Sequence, residues 1–288
     1  MEQVISIKNL NKCYDDFRLA DVSFDVPEGC IAGFIGLNGN GKTTTIRTML
    51  GLSLKDSGEI NLLGKNFDLH EQEIKNKIGV VFDEGYLYES LKMKDMKTIV
   101  SQAYSQWDET KYRQLMKRFS LDEEHLIATL SKGMKMKFAL VLALSHNAEL
   151  LIMDEPTSGL DPATRKELMD ILKKFMEGGG KGVFYSTHII SDLDKFADVI
   201  VCIHNGKILF QQSKDQLLDT YFKVKGNKEY LNETNRKLFI ALEETSFGFS
   251  GVTKELAALE KEIPDLVQEQ IDIETIMLAV IEGRHYCD

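Results

Sequence analysis

Apolar and polar side chains alternate along the first part of the chain, between Val4 and Val26. An alternation of period two is typical of half-buried β-strands, and the Asp15-Asp16 pair between the two runs favours a turn. Later runs are almost continuously apolar, which is typical of strands that are buried on both faces of a sheet. Several of them lie beside helix-length segments, so the pattern predicts a parallel α/β sheet. The runs are residues 30–35, 78–82, 150–153, 183–185 and 199–203.

The pattern changes between about residues 84 and 146, where we find no buried strand. Three segments of this region, residues 93–104, 108–119 and 131–145, have the pattern of helices instead. We interpret residues 84–146 as a helical subdomain that is inserted into the sheet.

After Gln211 the signal weakens to two strand-like runs, residues 221–224 and 238–242, and a closing helix at residues 271–281. Together these elements predict a small C-terminal α+β appendage, which by itself suggests no chemistry. The predicted domains are therefore residues 1–211, which include the helical insert, and an accessory region at 212–288.

Composition excludes several classes of protein. The 288 residues carry 35 basic and 45 acidic side chains, a formal charge of −10, and this balance argues against binding nucleic acid through a basic surface. No apolar run approaches the roughly 18–20 residues that cross a bilayer. The first residues lack the basic and apolar pattern of a secretory signal. The four cysteines, Cys13, Cys30, Cys202 and Cys287, lack metal-ligand spacing, and we expect reduced cytosolic thiols.

A glycine-rich loop follows the apolar run at residues 30–35. Glycines allow successive backbone N–H groups to converge on phosphate oxygens, and the helix that follows offers its positive end. In such a loop Lys42 reaches the β- and γ-phosphates, while the hydroxyl of Thr43 can bind Mg²⁺. The loop therefore predicts a binding site for a nucleoside triphosphate. Its residues, Gly36-Leu37-Asn38-Gly39-Asn40-Gly41-Lys42-Thr43, match the pattern G-x-x-x-x-G-K-[ST], and Thr44 follows directly.

Two acidic residues, Asp154 and Glu155, end the apolar run at residues 150–153. In a sheet with a phosphate loop, an Asp at the carboxyl end of a neighbouring strand can hold the Mg²⁺ shell. Adjacent carboxylates point in different directions, so we expect Asp154 to bind the metal and Glu155 to act on the attacking water.

At this point the sequence resembles the ATP-binding cassette (ABC) ATPases, over about residues 4–211, with motifs in the family's order. Leu130-Ser131-Lys132-Gly133-Met134 resembles the signature loop, which is usually LSGGQ. Ser158-Gly159-Leu160-Asp161 resembles the D-loop, and Thr187-His188 resembles the switch histidine. Tyr14 lies where the family has an aromatic residue stacked on adenine, although Phe17 is nearby. Ser131 and Asp161 are also placed to be helix N-caps.

The resemblance implies an α/β fold: a P-loop NTPase core with an N-terminal antiparallel β-subdomain, an inserted helical subdomain and the small C-terminal appendage. It implies ATP and Mg²⁺ as ligands, held between two cassettes that pair head to tail as a homodimer or heterodimer. Glu155 would be the general base, His188 a γ-phosphate sensor, and Asp83 a further catalytic residue. The implied metal ligands are Thr43, Asp154 and Asp83. The implied nucleotide-binding residues are Tyr14, Gly36, Asn38, Gly39, Asn40, Gly41, Lys42, Thr43, Thr44, Ser131, Gly133 and Asp161.

The sequence departs from the family at two places. After the run at residues 78–82 the family usually has a glutamine, but this chain has Asp83, followed by Glu84. A carboxylate there would bind the cation more strongly and repel the γ-phosphate. We therefore expect slower hydrolysis, or a shifted Mg²⁺ preference, relative to an Asp83→Gln variant. In the signature, Lys132 replaces a glycine and Met134 a glutamine; Lys132 could attract phosphate or block the approach of the loop.

The leading interpretation is the separate ATPase subunit of a bacterial exporter, because residues 78–91 and the tail resemble exporters of drugs, antimicrobial peptides or lipids. Such a subunit would be cytoplasmic, held on the inner face of the membrane by a separate transmembrane permease. The loop after Asp83 and the helical insert would form the groove that receives this permease. An aromatic and aliphatic set would contact it or else belong to the core of the insert: Tyr86, Leu87, Tyr88 and Leu91.

Two alternatives belong to other classes. A soluble ABC ATPase that acts on ribosomes or DNA usually has two cassettes in one chain or a long coiled-coil insert, and this sequence has neither. A regulatory nucleotide-binding module without hydrolysis is disfavoured by Lys42, Asp154, Glu155 and His188 together, although Asp83 keeps it open.

Overall fold

The computed structural model describes residues 2–83 and 86–284, so Glu84 and Cys287 lie outside the described residues. The first range contains the strands that the alternation between Val4 and Val26 predicted, and the strands that the apolar runs at residues 30–35 and 78–82 predicted. Its elements are β1 (Gln3–Cys13), β2 (Arg18–Pro27), β3 (Ile31–Ile35), α1 (Lys42–Met49), β4 (Ser57–Leu62), β5 (Lys65–Asn66), α2 (Phe67–Lys75) and β6 (Ile78–Val81).

The helical insert follows β6, and each helix begins and ends within one residue of its predicted bounds. Asp108 and Ser131, predicted as the first residues of two of these helices, are their N-caps, and each side chain accepts a backbone N–H. The helices are α3 (Met93–Ala103), α4 (Glu109–Arg118) and α5 (Lys132–Leu144).

The remaining elements complete the central sheet and form the tail. The strands that complete the central sheet, with the helices between them, are β7 (Leu150–Asp154), α6 (Pro162–Met176), β8 (Gly182–Thr187), α7 (Ile190–Phe196), β9 (Val199–His204) and β10 (Lys207–Ser213). The tail contains α8 (Lys214–Thr220), β11 (Phe222–Gly226), α9 (Glu233–Arg236), β12 (Phe239–Thr245), β13 (Gly248–Thr253), α10 (Leu256–Glu262), β14 (Val267–Glu269) and α11 (Ile273–Arg284).

The elements form three sheets. An antiparallel sheet has the order β2-β1-β4-β5, and the central sheet has the order β10-β9-β3-β8-β7-β6. Strands β9, β3, β8, β7 and β6 are parallel, with β10 antiparallel at one edge. The third sheet, β12-β13-β11-β14, is antiparallel and lies in the tail. The expected α/β fold class, with an antiparallel β region, a helical insert and an α+β tail, is confirmed.

Aromatic side chains join the first two sheets. The ring of Phe24, on β2, stacks on Phe34 and Phe184 of the central sheet, with centroids 5.7 and 5.4 Å apart. All three rings are buried in a shared hydrophobic core, which fixes the antiparallel sheet against β3 and β8. None of the helices in the described ranges is long and apolar enough to cross a bilayer. The cysteines among these residues, Cys13, Cys30 and Cys202, are free.

Candidate functional site

Parallel register brings the ends of four strands to one edge of the central sheet. Ile35 pairs with Thr187, Asp154 with Ser186, and Val81 with Met153. The loops that leave β3, β6, β7 and β8 therefore meet at the carboxyl edge, which is where ligands bind in open α/β sheets. The glycine-rich loop, Asp83, Glu155 and His188 all belong to these four loops, and Asp154 is the last residue of β7.

The glycine-rich loop has a backbone that needs its glycines. Gly39 and Gly41 have φ of +80° and +105°, a region that L-residues with a Cβ rarely adopt. A Cβ on Gly36 would lie 2.4 Å from the carbonyl oxygen of Ile203, so only glycine allows β9 to approach. Lys42 begins α1, and its Nζ donates to the carbonyl oxygen of Gly36 at 2.7 Å. The loop thus has the geometry of an anion cradle at a helix N-terminus.

Glu155 lies between the side chains of Lys42 and His188. Its Oε1 is 3.2 Å from Lys42 Nζ, and its Oε2 is 2.6 Å from His188 Nδ1. The backbone N–H of His188 also donates to Oε2, at 3.3 Å. Glu155 has φ of +51°, which costs free energy for a residue with a side chain and is typical of functional sites. The arrangement holds the imidazole and the ammonium in contact with the same carboxylate.

The neighbouring acid, Asp154, is oriented by a buried hydroxyl that we did not predict. Ser186 Oγ donates to Asp154 Oδ1 at 2.6 Å and accepts the backbone N–H of Glu155 at 2.9 Å. Ser186 is fully buried, and Asp154 is 6% exposed. One hydroxyl therefore fixes both acids at the end of β7, using its single proton and a lone pair.

These loops surround a cavity of about 460 Å³. The predicted residues that line it are Tyr14, Asn38, Gly39, Gly41, Lys42, Thr43, Thr44, Asp83, Glu155 and His188. The predicted residues that do not line it are Gly36, Asn40, Ser131, Gly133, Asp154 and Asp161. Asn40 is buried and accepts the backbone N–H of Asn205, so its side chain fixes the loop to the turn after β9.

Two aromatic residues form one part of the cavity wall. Tyr14 is half exposed, and its hydroxyl lies 2.7 Å from Ser53 Oγ. Phe17 lies against the glycine-rich loop, because a Cβ on Gly41 would come within 2.6 Å of its ring. Phe17 also lines the cavity, as does Ser158, and neither was among the predicted ligands. The sequence indicated Phe17 only through its closeness to Tyr14, and Ser158 only through its place in the D-loop motif.

Ser131 of the signature loop and Asp161 of the D-loop cap helices outside the cavity. Ser131 Oγ accepts the backbone N–H of Met134 at 3.2 Å, and Ser131 is exposed. Asp161 accepts the N–H groups of Ala163 and Thr164, each at 3.0 Å. The hydroxyl of Thr164 also donates to Asp161, and these bonds lower the pKa of its carboxyl. Both residues are the N-caps that their sequence positions allowed.

Asp83 lines the cavity and forms an ion pair with the signature loop. Its Oδ1 lies 2.6 Å from Lys132 Nζ. Burial, and then the charge of Asp83, raise the pKa of the nearby Tyr86 hydroxyl. The two residues that depart from the family pattern are therefore in contact with each other.

Comparison with known proteins identifies the family. A family model described as "ABC transporter" matches residues 19–158. The bacitracin transport ATP-binding protein BcrA of Bacillus licheniformis is 33% identical over 234 residues, which cover 80% of this chain and 74% of that protein. The lantibiotic transport ATP-binding protein SrtF of Streptococcus pyogenes is 32% identical over 215 residues, or 74% of this chain and 92% of that protein.

This chain belongs to the ATP-binding proteins of ABC transporters. A solved ATP-binding subunit of an ABC transporter is 29% identical, with a TM-score of 0.68 over 74% of this chain and 91% of that one. The fold is also that of an ATP-binding cassette solved as a dimer with ADP and Pi, at 24% identity and a TM-score of 0.64 over 73% of this chain and 98% of that one. The predicted family and ATPase class are confirmed, and the nucleotide of this ABC ATPase is ATP.

Proposed function

We propose that this ABC ATPase is the motor subunit of an exporter and hydrolyses ATP between two cassettes. The contacts of Glu155 carry the proposal: its carboxylate touches both Lys42 Nζ and His188 Nδ1, at 3.2 and 2.6 Å. A carboxylate base that is held between an ammonium and an imidazole next to a phosphate loop can orient and polarise a water molecule for attack on the γ-phosphate. His188 would then sense that phosphate. Lys42 Nζ would leave the carbonyl oxygen of Gly36 and bind phosphate oxygens instead.

The donor set at the edge of the sheet fits Mg²⁺. This ion prefers oxygen ligands and is held by few protein groups, because it keeps water and substrate phosphates in its shell. Thr43 offers a hydroxyl at the start of α1, and Asp154 offers the carboxylate that Ser186 orients. We propose these two residues as Mg²⁺ ligands and Asp83 as a third acid near the ion.

The position of the signature loop supports a site that two chains share. Ser131 is exposed outside the cavity, where its hydroxyl and the Gly133 N–H remain at the positive end of α5. We propose that they contact the γ-phosphate held by a second cassette, with Asp161 near the same interface. Tyr14 would stack on adenine, and the glycine-rich loop residues 36–44 would hold the phosphates.

The helical insert offers a groove for a membrane subunit. Its apolar part, of about 230 Å³, lies between the end of β6 and helices α3 and α5, and it includes Tyr86 and Leu87. Leu91 is half-buried against the core, whereas Tyr88 is 62% exposed. We propose that this groove receives a transmembrane permease, which would hold the chain on the inner face of the cell membrane. The proposed division is residues 1–211, with the insert at 84–146, and the accessory region 212–288.

The names of two relatives concern the transport of peptide antibiotics, and we propose export as the direction for this chain. BcrA and SrtF are named for bacitracin and lantibiotic transport, and both resemble this chain over about three quarters of its length or more. We propose a peptide antibiotic, or another amphiphilic drug or lipid, as the class of cargo.

A Glu155→Gln variant tests the shared site. Without the carboxylate, hydrolysis should stop while ATP still joins two cassettes, so the variant should form a dimer with ATP and Mg²⁺ and remain a monomer with ADP. Light scattering after size-exclusion chromatography measures the molar mass and so separates the dimer from the monomer. Glu149→Gln, which changes a residue paired with Lys77 at 2.9 Å, is the control and should hydrolyse ATP normally.

Three results would contradict the proposal. A Glu155→Gln chain that stays monomeric at saturating ATP and Mg²⁺ would exclude the shared site. Wild-type protein that releases no phosphate would favour the regulatory module. Recovery of the wild type with ribosomes or DNA, and not with membranes, would favour the soluble class of ABC ATPase.

A further inference from the structure

The two departures from the family pattern form one ion pair. Asp83 replaces the usual glutamine after β6, and Lys132 replaces a signature glycine at the start of α5; their Oδ1 and Nζ atoms are 2.6 Å apart. The two side chains are only about one third exposed, at 30% and 38%. The positions are 49 residues apart, so neither substitution predicts the other from local pattern.

Asp83 without a counter-ion would add negative charge to a site for a triphosphate. Val81 pairs with Met153 in parallel register, so Asp83 emerges beside Asp154 and Glu155 and lines the same cavity as Lys42. Lys42 is already shared between the loop carbonyls and Glu155. Even with the proposed Mg²⁺ ion at this edge, a third acid near the terminal phosphate adds one negative charge, which a further cation can compensate.

Lys132 is held where it can supply that cation. It is the first residue of α5, directly after the N-cap Ser131. Its stem lies across the D-loop: a Cβ on Gly159, which has φ of +68°, would be 3.2 Å from Lys132 Cδ. The lysine thus spans from the signature loop, past the D-loop, to the end of β6. A glycine at this position, as in the family pattern, has no side chain that could reach Asp83.

We propose that Lys132 is a positioning residue that neutralises and fixes Asp83 of its own chain, so that an ion pair faces the γ-phosphate of ATP where the family has a neutral amide. The inference rests on the proposed function of this cavity. It also assigns the signature contacts, because a Lys132 ammonium bound to Asp83 is not free to bind nucleotide on a second cassette. Ser131 and the Gly133 N–H are left as the groups that do so.

A double-mutant cycle tests the pair. Lys132→Met keeps the stem over Gly159 and removes the charge, and Asp83→Asn removes the acid. Affinity for ATP and for ADP is measured by titration calorimetry on the wild type, both single variants and the double variant. Lys132→Met should weaken ATP binding about 5-fold, the equivalent of about 1 kcal/mol for a partly exposed ion pair. ADP lacks the γ-phosphate, so its affinity should change less than 2-fold.

The decisive result is the effect of Lys132→Met on ATP affinity when Asp83 has also been replaced. In the Asp83→Asn background, Lys132→Met should change ATP affinity by less than about 2-fold, because no acid remains to be compensated. Lys132→Arg should retain wild-type affinity. Lys137→Met is the matched control on the same helix: it removes the same charge and breaks the Lys137–Glu167 pair, at 2.8 Å, outside the nucleotide cavity. It should leave both affinities unchanged.

Two outcomes would overturn the inference. One is an equal loss of ATP affinity from Lys132→Met with and without Asp83. The other is an equal loss for ATP and ADP. These results are distinct from a failure of the proposed function, in which the wild type itself would neither bind nor hydrolyse ATP.

Discussion

Replacement of Ser186 by alanine removes the one hydroxyl that fixes both acids at the end of β7. The hydroxyl donates to Asp154 Oδ1 at 2.6 Å and accepts the Glu155 N–H at 2.9 Å, and the serine is fully buried. A hydrogen bond to a charged group contributes about 1.5–3 kcal/mol, and water cannot replace it at a buried site. The Glu155 N–H keeps a poorer contact with the Ser186 carbonyl oxygen at 3.2 Å. We therefore expect a loss of about 2 kcal/mol in the free energy of unfolding.

The same change should affect catalysis more than binding. Glu155 has a strained φ of +51°, and without the bond to Ser186 its backbone can relax and move the carboxylate away from His188. Misplacement of a catalytic group by about 1 Å can cost up to about 100-fold in rate. We expect kcat to fall between about 10- and 100-fold, with a small change in KM and a higher Mg²⁺ concentration at half-maximal rate. The assays are chemical unfolding, and phosphate release in a magnesium titration.

Ser145→Ala is the matched control, because it removes another fully buried hydroxyl. Ser145 Oγ donates to the carbonyl oxygen of Val141 at 2.6 Å, and neither residue lines the nucleotide cavity. A bond between neutral groups contributes about 1 kcal/mol, so this variant should lose some stability and keep its kcat. Similar losses of stability in the two variants, together with a wild-type kcat and magnesium dependence for Ser186→Ala, would show that the Ser186 hydroxyl does not position the two acids.

Two further predictions concern Tyr14 and His146. Base stacking contributes about 1–3 kcal/mol, so Tyr14→Ala should weaken ATP binding by about 5- to 150-fold; a change below 2-fold in a titration would exclude stacking. Burial lowers the pKa of His146 to about 4, although the Asn76 backbone opposes the shift. The unfolded chain, with a pKa of about 6.5, binds this proton first as the pH falls. Stability should therefore be full above pH 6.5 and decrease by about 3 kcal/mol towards pH 4. His146→Phe, which keeps a ring against Tyr104, should lack this decrease in pH-dependent unfolding.

Elements with an unambiguous pattern were predictable from the sequence to within one residue. Residues 31–35 and 150–154 are buried along their whole length, because their side chains alternate between the hydrophobic cores on the two faces of the parallel sheet. Their continuous apolar runs therefore identified them. The glycine-rich loop was equally clear, because its function depends on consecutive residues whose spacing is fixed by the backbone.

The tail shows where such patterns fail. Strand β13 lies inside its sheet, between β12 and β11, yet its sequence GFSGVT contains two glycines and was not predicted as a strand. A Cβ on Gly251 would lie 2.5 Å from the ring of Phe239, on the neighbouring strand. The glycine is required because that ring covers it. Only knowledge of the pairing partner explains the residue, and the local sequence does not supply it.

Contacts between residues that are distant in the sequence also alter the chemistry that each position predicts by itself. Considered alone, Asp83 predicts repulsion of the γ-phosphate and relief by Asp83→Gln. Paired with Lys132 at 2.6 Å, it adds no net charge, and Asp83→Gln leaves an ammonium without its partner beside the D-loop glycine Gly159. The family's glutamine should therefore become favourable only when its glycine is restored at position 132 as well. The two departures act as one unit, and the sign of either change depends on the other.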